Sequence, residues 1–203
     1  MATTTLAAND VTDFHVSSIA AIARSKMAQR ANAAVRIPLT DARIWDSLLH
    51  LTVTANTDDL GIYARTFGTN GPWVGTGDLK AAGATTRYCR FLISIPEDYE
   101  ATETVTIRCS AGMNTTVADT TATIDVEAYR HVGDGTVGSD LCATSATTIN
   151  STTAANKDFT ITPNTLLAGD TLDVRITIAV NDAATGTSVI GALYALSLLA
   201  DLR

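Results

Sequence analysis

Two-residue alternation of apolar and polar side chains, repeated in four separate stretches, is the feature that most narrows the fold of this 203-residue chain. Over residues 85–95, Cys89, Phe91, Ile93 and Ile95 share one side, while Tyr88, Arg90, Leu92 and Ser94 share the other. Val105, Ile107, Cys109 and Ala111 alternate with Thr106, Arg108 and Ser110. Ala122, Ile124, Val126 and Ala128 alternate with Thr123, Asp125, Glu127 and Tyr129. Leu172, Val174, Ile176, Ile178 and Val180 alternate with Asp173, Arg175, Thr177 and Ala179. A period of two puts successive side chains on opposite faces of a strand, so each stretch predicts a half-buried strand. The 34 threonines support this reading, because a stiff, branched side chain packs better on a pleated surface than on a helix.

Weaker strand candidates are residues 37–45, 48–55, 60–67, 147–150, 158–161 and 189–199. The last, VIGALYALSLL, is long enough for a buried helix, but the turn-rich 181–187 before it favours a strand. Roughly eight to ten strands with no strong interior helix predict an all-β chain folded as an antiparallel β-sandwich. An internal echo agrees with this. Residues 96–108 and 163–175 match at an offset of 67 as Pro, apolar, Ala, acid-Thr, apolar-x-apolar, Arg. In each, the proline stops one strand and an alternating strand restarts after the acid-Thr step.

Charge divides the chain differently from hydropathy. Arg24, Lys26, Arg30 and Arg36 outnumber Asp10 and Asp13, so residues 1–36 carry +2 of a total of −7, and residues 37–203 carry −9. Residues 1 to about 14 are rich in Thr, Asn and Asp and poor in large apolar groups, as partner-ordered segments are. Ser17 or Ser18 is placed to cap a short helix through Ile19, Ile22, Ala23 and Met27, whose narrow apolar stripe is marginal alone and suited to docking. The expected organisation is an N-terminal arm or short helix over 1–36 and a sandwich domain over 37–203. The acidic body repels nucleic acid. No apolar stretch is long enough for a membrane helix, and the first residues lack a signal-peptide pattern, so a soluble, unexported protein is expected.

Catalytic and metal motifs are sparse. Cys89, Cys109 and Cys142 lack ligand or disulfide-framework spacing, and His15, His50 and His131 lie far apart, so neither a metal nor a cofactor is expected. Asp134 and Asp140 flank a GTVGS turn and are weighed as calcium ligands against a plain turn, which is the preferred reading. The segment GTNGPWVGTGD lacks the Lys-Ser/Thr pair of a phosphate loop and is expected to be a surface loop. Its Trp73, with Tyr63 and Tyr88, is the candidate for a glycan or a subunit contact, and a Trp73 ring that seals an end of the core or a subunit contact is preferred over one that stacks on a sugar. No constellation for acid–base or nucleophilic chemistry is apparent, and a non-enzyme is expected.

The stretch MNTTVADTTATIDVEAYRHVGDGTVGSDLCATSATTINSTTAANKDFTITPNTLLAGDTLDVRITIAVNDAATG, residues 113–186, resembles structural proteins of tailed bacteriophages encoded near capsid genes. It is most similar to their head decoration, or cement, proteins. The resemblance covers about residues 85–203 and carries β-corner phrases without a chemical signature. It implies a jelly-roll body, often trimeric, on the outer surface of the expanded capsid, assembled in the host cytoplasm with the major capsid protein as partner. Arms of such proteins lie across neighbouring capsid subunits, which makes Ile19, Ile22, Arg24, Met27, Arg30 and Arg36 the expected capsid-binding residues. The alternative reading is a carbohydrate- or receptor-binding β-sandwich of a phage tail or fibre, using Trp73, Tyr63 and Tyr88.

Overall fold

The structure, a computed structural model, describes residues 30–64, 66–131, 134, 136–162 and 166–202. It contains ten strands: β1 (Arg30–Ile37), β2 (Gly61–Tyr63), β3 (Trp73–Gly75), β4 (Gly83–Ser94), β5 (Val105–Met113), β6 (Thr121–His131), β7 (Thr147–Thr148), β8 (Ala155–Ile161), β9 (Thr171–Asp182) and β10 (Gly191–Leu202). The helical piece among the described residues is a single 3-10 turn, Leu39–Asp41. Every strand pairing is antiparallel.

One sheet runs β2-β3-β10-β5-β8, with β1 also on β10, and the other runs β4-β9-β6-β7. The chain therefore enters at β1, crosses to β4, returns to β5, crosses to β6 and β7, returns to β8, crosses to β9 and ends at β10. This strand order, β1-β10-β5-β8 against β4-β9-β6-β7, is the double Greek key of a jelly roll. The expected all-β sandwich is the observed fold, and the candidate at residues 189–199 is strand from Gly191 onward and not helix.

The alternations set the interior. Cys89, Phe91 and Ile93 of β4, Ile124 and Val126 of β6, and Leu172, Val174, Ile176 and Ile178 of β9 are buried. They face Val105, Ile107 and Cys109 of β5, Phe159 and Ile161 of β8, and Leu196 and Leu198 of β10. Removing each aliphatic group from water stabilises the fold by roughly 1.5–3 kcal/mol. The echoed corners also share geometry. Glu103 N–H donates to Glu100 C=O and Asp170 N–H to Leu167 C=O, each at 3.1 Å and at the same offset. The apolar residue of each corner, Tyr99 or Leu166, is a core plug. Arg108 and Arg175, the last echoed pair, each meet an acid on a neighbouring strand, Asp158 and Glu127 respectively.

Three expectations differ from the structure. Residues 37–45 are not a strand: β1 ends at Ile37, and Pro38 leads into the 3-10 turn. Residues 48–55 form no strand, and Leu48 turns the chain at φ 58°. The segment GTNGPWVGTGD is a surface loop only in part: residues 68–72 are exposed, whereas residues 73–75 are β3, paired to β2 and β10 with Val74 fully buried. A three-residue strand is too short to show periodicity, and one of the glycines that suggest a loop, Gly75, is required by close packing. A Cβ on Gly75 would lie 2.8 Å from the Gly191 carbonyl oxygen and against the Trp73 ring.

Because Ile176 is fully buried on the central strand of its sheet, Ile176→Ala is expected to lower unfolding free energy by about 2–5 kcal/mol in urea titrations. Leu92→Thr, at a position 52% exposed on neighbouring β4, is expected to change it by no more than about 0.5 kcal/mol.

Candidate functional site

The outward positions of β4, β9 and β6 form a grid whose rows are fixed by strand register. Tyr88, Thr177 and Asp125 make one row; Arg90, Arg175 and Glu127 the next; Leu92, Asp173 and Tyr129 the third. Two arginines thus lie side by side, and each is neutralised. Arg90 donates from Nε to Asp173 Oδ1 at 2.5 Å and from Nη2 to Oδ2. Arg175 donates from Nε to Glu127 Oε2 at 2.5 Å. Arg90 also donates from Nη1 to the Trp45 carbonyl at 3.4 Å.

That last bond ties the grid to a strap, residues 43–60, that runs along the outer edge of β4. Arg43 exchanges backbone hydrogen bonds with Arg90, and Tyr88 N–H donates to Asp58 C=O. Trp45 donates from Nε1 to Asp58 at 3.3 Å and lies tilted against Tyr88, with ring centroids 5.3 Å apart. The Arg175 guanidinium sits 5.6 Å from the Trp45 centroid and 5.1 Å from that of Tyr88, within cation–π range. Between strap and sheet is a cleft of about 410 Å³ lined by Trp45, Asp46, Arg90, Tyr129, Asp173 and Arg175.

The environment perturbs groups on and near this face. The hydrogen bond that Arg90 donates to Asp173 raises the guanidinium and holds it firmly charged, outweighing the downward push of burial. Burial raises the Asp125 carboxyl, and the Glu127 charge adds to this. Asp59, in the strap, is raised by burial and then by the charges of Asp58 and Asp46.

The residues singled out from sequence fall in several places. Ile19, Ile22, Arg24 and Met27 lie outside the described residues. Arg30 and Arg36, assigned to an arm, lie at the two ends of β1 and belong to the sheet, so the sandwich begins at or before residue 30 and not at 37. Trp73 is only 4% exposed and is stacked on its cross-strand partner Tyr63 at 4.2 Å, so its ring faces are not open to a sugar. Tyr88 lies on the other sheet, and the three aromatics do not form one surface. Asp134 and Asp140 each accept from backbone N–H groups: Asp134 Oδ1 from Thr136 at 2.9 Å, and Asp140 Oδ1 from Ala128 and Cys142, each at 2.9 Å. Cys89 and Cys109 are buried thiols whose pKa values burial drives far upward.

Much of the body's negative charge serves its own backbone. Asp182, almost fully buried, accepts from Ala81 N–H at 3.1 Å and Asp119 N–H at 2.9 Å. Asp119 accepts in turn from Ala183 N–H at 3.0 Å. Asp78 Oδ1 accepts from Lys80 N–H at 3.1 Å and Val189 N–H at 3.0 Å. Trp45, Arg90, Tyr129, Asp173 and Arg175 were not singled out from sequence. Their outward facing was readable for all but Trp45, yet only the β4-β9-β6 register shows that Arg90 and Arg175, 85 positions apart, adjoin.

No family model matches the chain, and no curated protein matches it. Solved structures similar to it include the CBM22-1 xylan-binding domain of Paenibacillus barcinonensis Xyn10C, 12% identical, with a TM-score of 0.39, covering 84% of this chain and 97% of that one. The xylan-binding module CBM15 is 13% identical, with a TM-score of 0.37 over 84% of this chain and 97% of that one. The infectious bursal disease virus Gx strain structure is 15% identical, with a TM-score of 0.38 over 64% of this chain and 29% of that one.

Asp78 gives a pH test of the clamps. Burial raises its carboxyl, but the Val189 and Lys80 N–H groups more than offset this and hold its pKa below the ordinary value. A depressed folded-state pKa adds stability that is complete above the unfolded pKa of about 3.9 and disappears as pH falls through the folded value. Asp78→Asn is therefore expected to flatten the acid limb of stability, measured by urea unfolding between about pH 5 and pH 3.

Proposed function

We propose that this protein is a non-catalytic structural protein of a phage head, a decoration protein that binds the outer surface of the capsid lattice and stabilises it. The observation that carries this reading is how the first 29 residues join the body. They lead directly into β1, which is paired in register to β10 from Arg30↔Leu202 and from Ala33↔Ala200 to Ile37↔Leu196. Antiparallel hydrogen bonds lie perpendicular to the strands, so a pull along the leading segment loads the whole β1–β10 ladder in shear. A clasp that must transmit load from shell to body calls for such a root.

Other features support the same reading. Residues 113–186 resemble head decoration proteins, and the jelly roll is the body such proteins use. The leading segment carries Ile19, Ile22 and Met27 for apolar contacts and Arg24 for polar ones. A segment that orders on binding covers a large area, and many copies on one lattice act together. The body is proposed to trimerise, with the major capsid protein as its partner on the virion exterior.

The position of β1 sets the cut. Removing residues 1–29 spares every described strand, and the truncated protein is expected to keep its melting temperature and lose occupancy on expanded capsids by at least about tenfold, measured by co-sedimentation. Undiminished occupancy overturns the role of the arm. Removing residues 1–36 also strips β1 from β10 and is expected to lower the melting temperature itself, read by circular dichroism.

A further inference from the structure

We propose that the cleft between the Trp45 strap and the β4-β9-β6 face is a binding site for a neutral glycan, a function separate from the arm and independent of the capsid reading. The cleft has aromatic rings on two sides, Trp45 on the strap and Tyr129 on β6, with the paired groups of Arg90, Asp173 and Arg175 between them. A pyranose presents an apolar C–H face and a rim of hydroxyls. An aromatic bank takes the first, and fixed planar donors and acceptors take the second.

The polar floor is built before any ligand arrives. Asp173 is 8% exposed and held by two bonds from Arg90, whose third nitrogen is fixed on the Trp45 carbonyl. Arg175 is held by Glu127 and lies over both Trp45 and Tyr88. One network therefore positions both the floor and the aromatic strap, which lowers the ordering cost of binding. Each carboxylate oxygen keeps a lone pair and each guanidinium keeps N–H groups beyond those bonds. A hydroxyl, both donor and acceptor, can bridge such neighbours.

Charge selects the ligand class. Both guanidiniums are already matched by Asp173 and Glu127, while Asp46 on the strap makes no ion pair among the described residues. Asp58 and Asp125 lie beside the cleft and add negative potential. Phosphate, sulfate, sialate and uronate groups would meet repulsion, whereas an uncharged polyol meets none. A cleft of about 410 Å³ holds one or two sugar units and is open to a longer chain.

The test uses the full chain on a glycan microarray bearing neutral and acidic oligosaccharides, followed by titration calorimetry with a neutral binder. Binding to neutral glycans and not to acidic ones is expected. Tyr129→Ala and Trp45→Ala are expected to weaken it by about tenfold or more, while Tyr129→Phe, which keeps the ring, stays within about threefold. Melting temperatures of the variants establish that they are folded. Absence of neutral-glycan binding, binding to acidic glycans alone, or unchanged affinity in folded Tyr129→Ala and Trp45→Ala overturns the proposal. Loss of capsid occupancy in Tyr129→Ala, with no glycan bound by the parent chain, assigns this face to the shell and overturns it equally. The arm deletion removes none of the cleft's lining residues, so the two readings fail separately.

Discussion

The registers of two central strands, β9 and β10, govern the rest of the molecule. β9 is paired along its length to β4 and β6, and β10 to β5 on one edge and to β1 and β3 on the other. Because strand side chains alternate, a slip of one residue in β9 would move Leu172, Val174, Ile176 and Ile178 to solvent and turn Asp173 and Arg175 into the core. Burial of the first set and the cost of burying the second lock a single register. The same register that closes the core aligns Arg90, Arg175 and Glu127 in one row outside it.

Acidic groups serve the fold in a way net charge does not suggest. Asp182 and Asp119 brace each other's loops through backbone N–H groups, Asp78 joins residue 80 to residue 189, and Asp201 accepts from Asn32 N–H where β1 begins. Carboxylates in these positions replace the ladder partners that a β-sandwich lacks at its turns. Others are matched by arginines across strands: Asp158 by Arg108, Asp170 by Arg130, Asp173 by Arg90 and Glu127 by Arg175. The exposed Arg108–Asp158 pair contributes little to stability, while the partly buried pairs on the β4-β9-β6 face fix side-chain direction.

The two proposed activities use different parts of the sandwich. The leading segment is rooted at the edge of the sheet that holds β10, whereas the cleft lies on the outer face of the sheet that holds β9. A body held to a lattice through one sheet edge leaves the opposite sheet's face toward solvent, which makes a capsid role and glycan capture compatible. The Trp45 strap also covers the edge of β4, bonding to Tyr88 and Arg90 and so protecting a 12-residue strand from edge-to-edge association.

The sequence by itself determined the strands whose alternation spans several periods, the inward set from Cys89 to Val180, and the repeated Pro-to-Arg corners, because a period of two is a local property of the chain. It did not reveal β3, whose three residues are shorter than any periodicity, or that β1 begins before residue 36, since RANAAVRI alternates too weakly between small residues. It left Trp73 between a sugar contact and, as the preferred reading, a ring that seals the core or a subunit contact, and only the fold shows that ring buried and covered by Tyr63. The cleft was decided by tertiary structure alone. Its members come from residues 45, 46, 90, 129, 173 and 175, and they adjoin only through inter-strand register and a strap laid along a sheet edge. Which face a residue occupies is written in its neighbours; which residues share that face is settled by long-range hydrogen bonds and the burial they permit.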